Sequence, residues 1–195
     1  MQAVVEAVRA RNWPVRIAAV ISNRDDAEGL AVAEKYGIPT VVVSSQQYAT
    51  RESFDAALQA EIDQHAPNLV VLAGFMRILT DGFVGHYIGR MLNIHPSLLP
   101  SFPGLATHRQ ALAAGVKLHG ATVHFVTPQL DHGPIVAQVA VPVLAGDTEQ
   151  SLGLRVLEQE HILYPRAIGW FIEGRLTIDD GRVCIAGEPL NSASY

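Results

Sequence analysis

The chain has 195 residues, a formal net charge of −5 and one cysteine, Cys184. This length predicts one domain with a substantial core, and 49% hydrophobic against 17% charged residues excludes a disordered chain. The acidic balance and the scattered Lys and Arg residues argue against a nucleic-acid partner. A single cysteine excludes an internal disulfide and a cysteine-based zinc framework, so we expect a reducing, cytoplasmic location. No apolar run approaches the length of a membrane span.

The first half of the chain predicts alternating helices and strands. Apolar residues at 1, 4, 5 and 8 follow the helical period with no capping residue before them, so a helix is already under way at Met1. The expected strands are 15–22, 39–44 and 68–75, and the expected helices that follow are 27–36 and 51–65. An Asp of the turn at 23–26 is expected to cap the first of these helices. This order predicts βαβ units around a mostly parallel sheet.

The second half has a different pattern. A short strand at 91–94 breaks off at His95, and an irregular loop follows it. Segments 120–127 and 135–143 alternate between apolar and polar residues, as half-buried strands do. A rigid, polar connection at 128–134 joins them.

A long helix and a small hairpin close the chain. Asp147 is expected to cap this helix with Gln150 as its capping-box partner. The helix is expected to run to about Glu173 and to kink at Pro165. The last twenty residues predict a hairpin and a polar tail.

Polar side chains at strand ends are the first candidates for a site, because ligands of open α/β sheets bind beyond the carboxyl ends of strands. Asn93 and His95 are two residues apart on a strand, so their side chains share one face. An amide and an imidazole together suit an acyl-transfer intermediate, with the amide holding an oxyanion and the ring supplying a proton. From spacing alone, a strand-end cap and a satisfied polar histidine explain the two residues as well.

Five longer motifs resemble the folate-dependent formyltransferase family. They are LAGFMRIL (72–79), LNIHPSLLP (92–100), THRQA (107–111), HGATVHFV (119–126) and LDHGP (130–134). The second motif is long and irregular, and is therefore far more specific than a glycine-rich loop. The resemblance extends from Met1 to the terminal hairpin, and it implies a three-layer, Rossmann-like α/β fold.

The resemblance also implies a reaction and a catalytic trio of Asn93, His95 and Asp131. The amine of glycinamide ribonucleotide is expected to attack the formyl carbon of 10-formyltetrahydrofolate directly. His95 is expected to donate a proton and Asn93 to hold the oxyanion. Asp131 is expected to keep His95 protonated and to order a water molecule for proton relay.

Substrate contacts are carried over from the family in the same way. The implied folate contacts are Arg51, Met76, Arg77, Ile78, Leu79, Asn93, Thr127, Pro128, Gln129, Leu130 and Asp131. A fixed guanidinium such as that of Arg51 suits the carboxylates of folate. The implied ribonucleotide contacts are Leu157, Glu158, Gln159 and Glu160, with Glu160 as the partner of the amine.

The sequence departs from the family at its start. Family members begin with a strand and a glycine-rich turn that holds the ribonucleotide phosphate, whereas Met1 here falls in the first turn of the following helix. We therefore expect one domain, 1–195, with an N-terminally incomplete nucleotide-binding half at 1–90 and a catalytic and folate-binding half at 91–195. Two smaller departures are Ala106, where relatives often carry His, and His132, where they usually carry a small residue.

Other functions stay open at this point. A formyltetrahydrofolate hydrolase and a folate-binding protein without turnover are the alternatives to a transferase. His108, His119 and His132 lack the spacing of a zinc site, so no metal is expected. His124 matches a family position near the site, but a structural role suits it equally. The expected partners are small molecules, and the sequence does not choose between a monomer and a homodimer.

Overall fold

The computed structural model describes residues 1–187, so the predicted polar tail from residue 188 onward lies outside the described residues. The helices are α1 (Gln2–Ala10), α2 (Glu28–Lys35), α3 (Arg51–Gln64), α4 (Asp81–His86), α5 (Thr107–Ala114) and α6 (Glu149–Ile172). The strands are β1 (Val20–Ser22), β2 (Thr40–Val42), β3 (Val70–Leu72), β4 (Met91–His95), β5 (Leu118–Phe125), β6 (Ile135–Pro142), β7 (Leu176–Asp179) and β8 (Arg182–Ile185).

The first four strands form parallel pairs, and the later pairings are antiparallel. β1 pairs with β2 and β3 with β4, both in parallel, whereas β4–β5 and β5–β6 are antiparallel and β7–β8 form the terminal hairpin. The α/β class is therefore confirmed. One difference concerns continuity: within residues 1–187, β1–β2 forms a separate two-stranded sheet beside the four-stranded sheet β3–β4–β5–β6.

The two faces of the four-stranded sheet have different neighbours. On one face, Leu92 of β4 with Val123 and Phe125 of β5 belongs to the core that includes buried residues of α6. Met91 points to the other face, where it packs among buried residues of α3 and α4 such as Phe54. Because side chains alternate along a strand, Asn93 and His95 follow Met91 on this second face. The α6 core thereby determines which side chains reach the site.

Two predicted helix caps are wrong. The residue before α2 is Ala27, whose side chain cannot cap a helix. The carboxylate of Asp26 pairs with Arg24 instead of capping the helix. α6 is capped one residue later than predicted, by Thr148, in a capping box with Ser151 rather than with Gln150.

Asp147 has a stronger partner than the helix end. Its two carboxylate oxygens accept from Arg155 at 2.8 and 2.9 Å, a bidentate pair of the kind that is stronger than a neutral hydrogen bond. The carboxylate of Asp147 therefore binds a side chain of α6. The hydroxyl of Thr148 accepts from the backbone N–H of Ser151 at the start of the helix. Two short helices, α4 and α5, of six and eight residues, were not predicted.

Tyr164 connects α6 to the strand ends that carry the site. The helix continues through Pro165, and the buried Tyr164 hydroxyl lies 2.7 Å from the carbonyl oxygen of Leu72 and 2.9 Å from that of Leu92. These are the last residue of β3 and the residue before Asn93. One hydroxyl hydrogen is thus shared between two neighbouring strands and fixes the helix against both of them.

We predict that Tyr164→Phe destabilises the protein by about 1–3 kcal/mol, because a buried donor is lost while its carbonyl partners stay buried. The free energy of unfolding in urea measures this. Tyr36→Phe is the matched control: its hydroxyl bonds to Glu6 at an exposed position, so the cost there is below about 0.5 kcal/mol. Equal losses in the two variants would contradict the role assigned to Tyr164.

Candidate active site

The end of β4 and the facing part of β5 bring four polar side chains to one face. The antiparallel register places Asn93 opposite His124 and His95 opposite Thr122. Directly opposed residues project to the same side of a sheet. His95, Thr122 and His124 are all nearly inaccessible to solvent, so each needs a partner inside the protein.

Asn93 is oriented by His124. The Asn93 amide nitrogen lies 3.2 Å from His124 Nε2, and His124 Nδ1 lies 2.9 Å from the carbonyl oxygen of Phe125. The carbonyl can only accept, so Nδ1 carries the hydrogen and Nε2 accepts from the amide of Asn93. Burial lowers the pKa of His124, which keeps the ring in this neutral form. One N–H of Asn93 is engaged in this way, and its second N–H has no partner among residues 1–187.

Asp131 approaches from the β5–β6 connection. Its carboxylate oxygen Oδ2 lies 3.5 Å from His95 Nδ1, and Oδ1 lies 3.9 Å from His124 Nε2. The backbone of Asp131 has a positive φ of 53°. Gly133 allows this turn to close on the strand, because a Cβ there would lie 1.7 Å from the carbonyl oxygen of Phe125. A side chain at that position would displace the turn and its carboxylate.

The loop after β4 completes the surroundings of His95. The Nε2 atom of His95 lies 3.0 Å from the carbonyl oxygen of Phe102, and the backbone N–H of Gly104 donates to Asp131 Oδ2 at 2.8 Å. The imidazole therefore lies between a backbone carbonyl and a carboxylate. Sequence reasoning missed both backbone groups, since they belong to every residue and leave no signal in side-chain identity.

The predicted folate contacts lie on three neighbouring segments. Residues 76–79 follow β3, with Met76 and Ile78 at 71% and 57% exposure, which leaves both side chains open to a ligand. The Arg77 guanidinium lies 4.8 Å from the centre of the Phe54 ring. Residues 127–131 form the connection that carries Asp131, and Leu130 in it is exposed.

Arg51 stands in the first turn of α3, where it is exposed and 3.8 Å from Glu52. One turn later, Asp55 accepts a hydrogen bond of 2.6 Å from the backbone N–H of Thr80. That residue directly follows segment 76–79, so α3 and the segment are fixed to each other.

Residues 157–160 form one turn of α6, and Glu160 stands one turn before Tyr164 on the same side of the helix. Leu157 and Glu158 are exposed, whereas Gln159 and Glu160 are partly buried. Burial raises the pKa of Glu160 to about 7, and its charge acts on Tyr164 one turn further along. Glu160 thus lies close enough to act on Tyr164, whose hydroxyl contacts β3 and β4, and on the amino group of Met1. A carboxyl group with a raised pKa in such a place is a candidate binding residue.

The three histidines considered as zinc ligands each have a hydrogen-bond partner within the protein. His108 Nδ1 and His119 Nε2 are 3.1 Å apart, while the exposed His132 bonds back to the carbonyl oxygen of Leu130. Across residues 1–187, no three His, Cys, Asp or Glu side chains are grouped as metal ligands. In the same residues, no helix has the length and hydropathy needed to cross a membrane.

An α/β sheet that presents an amide, an imidazole and a carboxylate at its strand ends agrees with the family resemblance. A family model described as formyl transferase matches residues 1–168, so the chain belongs to the formyl transferase family. The phosphoribosylglycinamide formyltransferase of Escherichia coli K12 is 48% identical over 195 residues, which are 100% of this chain and 92% of that protein.

Solved structures give the same result. Glycinamide ribonucleotide transformylase 1 from Symbiobacterium toebii has a TM-score of 0.91 at 48% identity, over 94% of this chain and 87% of that one. A formyltetrahydrofolate deformylase from Pseudomonas syringae has a TM-score of 0.86 at 31% identity, over 94% of this chain but 60% of that one. The chain is therefore similar over nearly its whole length to a transformylase, and to only part of a deformylase.

We predict an acid-sensitive contribution of the buried His119 to stability. Burial, together with the nearby His108 and His95, lowers the pKa of His119 to about 4 from an ordinary value of 6.5. The unfolded chain therefore binds this proton first, so the stability is present above pH 6.5 and is lost as pH falls toward 4. His119→Gln should reduce the slope of unfolding free energy against pH in this window by up to about 1.4 kcal/mol per pH unit.

Urea unfolding of both proteins at several pH values between 6.5 and 4 measures the two slopes. The comparison uses slopes rather than absolute stabilities, because the substitution itself disturbs the His108 contact. Parallel curves would contradict the prediction.

Proposed function

We propose that this protein transfers the formyl group of 10-formyltetrahydrofolate to the amine of N1-(5-phosphoribosyl)glycinamide, a step of purine synthesis. The names of its relatives support the reaction. The observation that carries the proposal is the arrangement around His95, whose ring has Asp131 at 3.5 Å and shares one face of the sheet with Asn93. These are the groups that a tetrahedral acyl-transfer intermediate requires.

Asn93 stabilises the negative charge that develops on the formyl oxygen. As the bond between the amine nitrogen and the formyl carbon forms, an electron pair moves to this oxygen. The free N–H of Asn93 donates to it, and the bond to His124 keeps the amide turned in the required direction. A donor that is already oriented needs no reorganisation during the reaction, which is the basis of oxyanion stabilisation.

His95 and Asp131 handle the protons. The protonated His95 donates to the nitrogen of the folate as the bond between that nitrogen and the formyl carbon breaks. The attacking amine has become an ammonium group, and it returns one proton to the His95–Asp131 pair, directly or through a water molecule. One proton thus moves in net from the amine to the folate nitrogen, and both products, the formamide and the deformylated folate, are neutral at the reacting atoms.

The two substrates are proposed to reach this site from opposite sides. The folate contacts are the segments 76–79 and 127–131 together with Arg51, and the ribonucleotide contacts are Leu157–Glu160 on α6. The folate contacts thus come from both predicted halves, 1–90 and 91–195, whereas the named ribonucleotide contacts on α6 lie in the second half. The cytoplasmic location and the choice between monomer and homodimer stay predictions.

We predict that His95→Ala lowers kcat at least a hundredfold, because a general acid contributes about 10²- to 10⁴-fold. Asp131→Asn should have a similar effect. The assay follows the folate absorbance change with 10-formyltetrahydrofolate in the presence and absence of the ribonucleotide. Circular dichroism of both variants, which should equal that of the wild type, is the control for folding.

The same assay separates the alternatives. Turnover that requires the ribonucleotide supports the transferase. Turnover without it would favour a formyltetrahydrofolate hydrolase, and folate binding without turnover would favour a binding protein. Full activity of His95→Ala would remove this residue from the mechanism.

We predict that Glu160→Gln raises the KM for the ribonucleotide about tenfold or more, because a hydrogen bond to a charged group contributes about 1.5–3 kcal/mol. The KM for the folate should change little. In the wild type, the ribonucleotide KM should fall as pH rises through about 7, where Glu160 ionises, and the variant should lack this dependence.

Glu149→Gln is the matched control, since it makes the same change at an exposed position at the start of the same helix. An equal rise of both KM values in Glu160→Gln, or an unchanged pH dependence, would contradict the assigned contact.

A further inference from the structure

The loop between β4 and α5 determines which nitrogen of His95 can titrate. His95 Nε2 lies 3.0 Å from the carbonyl oxygen of Phe102. A carbonyl oxygen only accepts hydrogen bonds, so Nε2 carries a hydrogen in both protonation states of the ring. The neutral ring is therefore the Nε2–H tautomer. Its other nitrogen, Nδ1, is the atom that gains and loses the proton.

The Nδ1 atom of the His95 ring faces Asp131. The distance of 3.5 Å between Nδ1 and Asp131 Oδ2 exceeds that of a direct hydrogen bond. It is nevertheless short enough for an ion pair when Nδ1 is protonated. The Gly104 N–H, from the same loop as Phe102, donates to this carboxylate oxygen. One loop therefore holds the ring from one side and its carboxylate partner from the other.

Two side chains of the sheet hold this loop in place. The buried Thr122 hydroxyl donates to the carbonyl oxygen of Ser97 at 2.7 Å and accepts from the N–H of Leu99 at 3.0 Å. The Gln138 amide of β6 donates to Thr122 Oγ1 and to the carbonyl oxygen of Leu99, both at 2.9 Å. Ser97 in turn donates to the carbonyl oxygen of Ser101, the residue before Phe102.

These contacts form a continuous chain from β6 to the catalytic ring. Gln138 lies opposite Thr122, and Thr122 lies opposite His95, so all three share one face of the sheet. Within residues 1–187, the hydrogen bonds of the Gln138 side chain go to Thr122 and Leu99 and to none of Asn93, His95 and Asp131. Any effect that it has on catalysis must therefore act through segment 97–102.

We propose that Nδ1 of His95 is the atom that carries the transferred proton, and that Gln138 is a positioning residue that fixes this tautomer through the loop 97–102. The catalytic part rests on the proposed formyl transfer, whereas the tautomer does not. In the reaction, the Nδ1–H bond breaks as the hydrogen bonds to the folate nitrogen. The proton released by the attacking amine then restores Nδ1–H.

The tautomer is tested on the full chain labelled with ¹⁵N at histidine. Two-bond ¹⁵N–¹H couplings distinguish the two neutral forms, and comparison with His95→Asn assigns the signals. We expect Nε2–H in the neutral ring and Nδ1 as the nitrogen that titrates. A neutral ring with its hydrogen on Nδ1 would overturn the proposal, whether or not the protein transfers formyl groups.

The role of Gln138 is tested by Gln138→Glu and Gln138→Met. Both remove the amide donor at nearly unchanged length, and only the first adds a charge. Loss of positioning should lower kcat about ten- to a hundredfold with little change in either KM, and the neutral His95 should become a mixture of tautomers. The matched control is Gln110→Met. It removes the hydrogen bond that the side-chain amide of Gln110 donates to the carbonyl oxygen of Leu105, which lies outside segment 97–102.

A purely structural Gln138 would give a different result. It would lower the unfolding free energy of Gln138→Met while the single tautomer and kcat stayed as in the wild type, and that outcome would overturn the proposal. Wild-type protein without any formyl transfer would instead refute the proposed function and leave the tautomer measurement standing.

Discussion

The antiparallel register between β4 and β5 is the constraint on which the site depends. It places Asn93 opposite His124 and His95 opposite Thr122. A slip of one residue would turn these side chains into the α6 core and place residues such as Leu92 on the polar face, where they would lose their apolar neighbours. Burying several polar groups and exposing apolar ones are both costly, so packing against α6 specifies the register. Hydrophobic contacts on one face of the sheet thus select the chemistry on the other.

Burial then sets the direction of each hydrogen bond within the site. A charged His124 would have to donate from Nε2, and it could no longer accept from the Asn93 amide. Because burial lowers the pKa of His124, the ring remains an acceptor and the Asn93 nitrogen stays turned toward it. Desolvation of one residue therefore orients the amide of another. The polar face is ordered because each buried atom has few permitted partners.

The sequence predicted the parts of the site that follow a local period. Asn93 and His95 are paired by the two-residue repeat of a strand, and the βαβ order gave the α/β class. Asp131 has no such pattern: a backbone with φ of 53° and the close approach at Gly133 bring it to His95. Only the family resemblance suggested it. The cap of α6 was misplaced by one residue because Asp147 and Thr148 are both good caps, and the distant Arg155 decides between them.

Backbone groups impose a different kind of dependence from side chains. The Phe102 carbonyl and the Gly104 N–H are present whatever residues occupy the loop, so their chemistry survives many substitutions there. Their positions, however, depend on the path of the loop. The hydrogen bonds of Thr122 and Ser97 to the backbone of the loop fix this path. A displacement that lengthens the bond from Phe102 to His95 removes the preference for one ring tautomer without altering any catalytic side chain. The residues proposed for catalysis therefore lie on β4 and in the β5–β6 connection, whereas the backbone groups around His95 are positioned by the anchors of the loop.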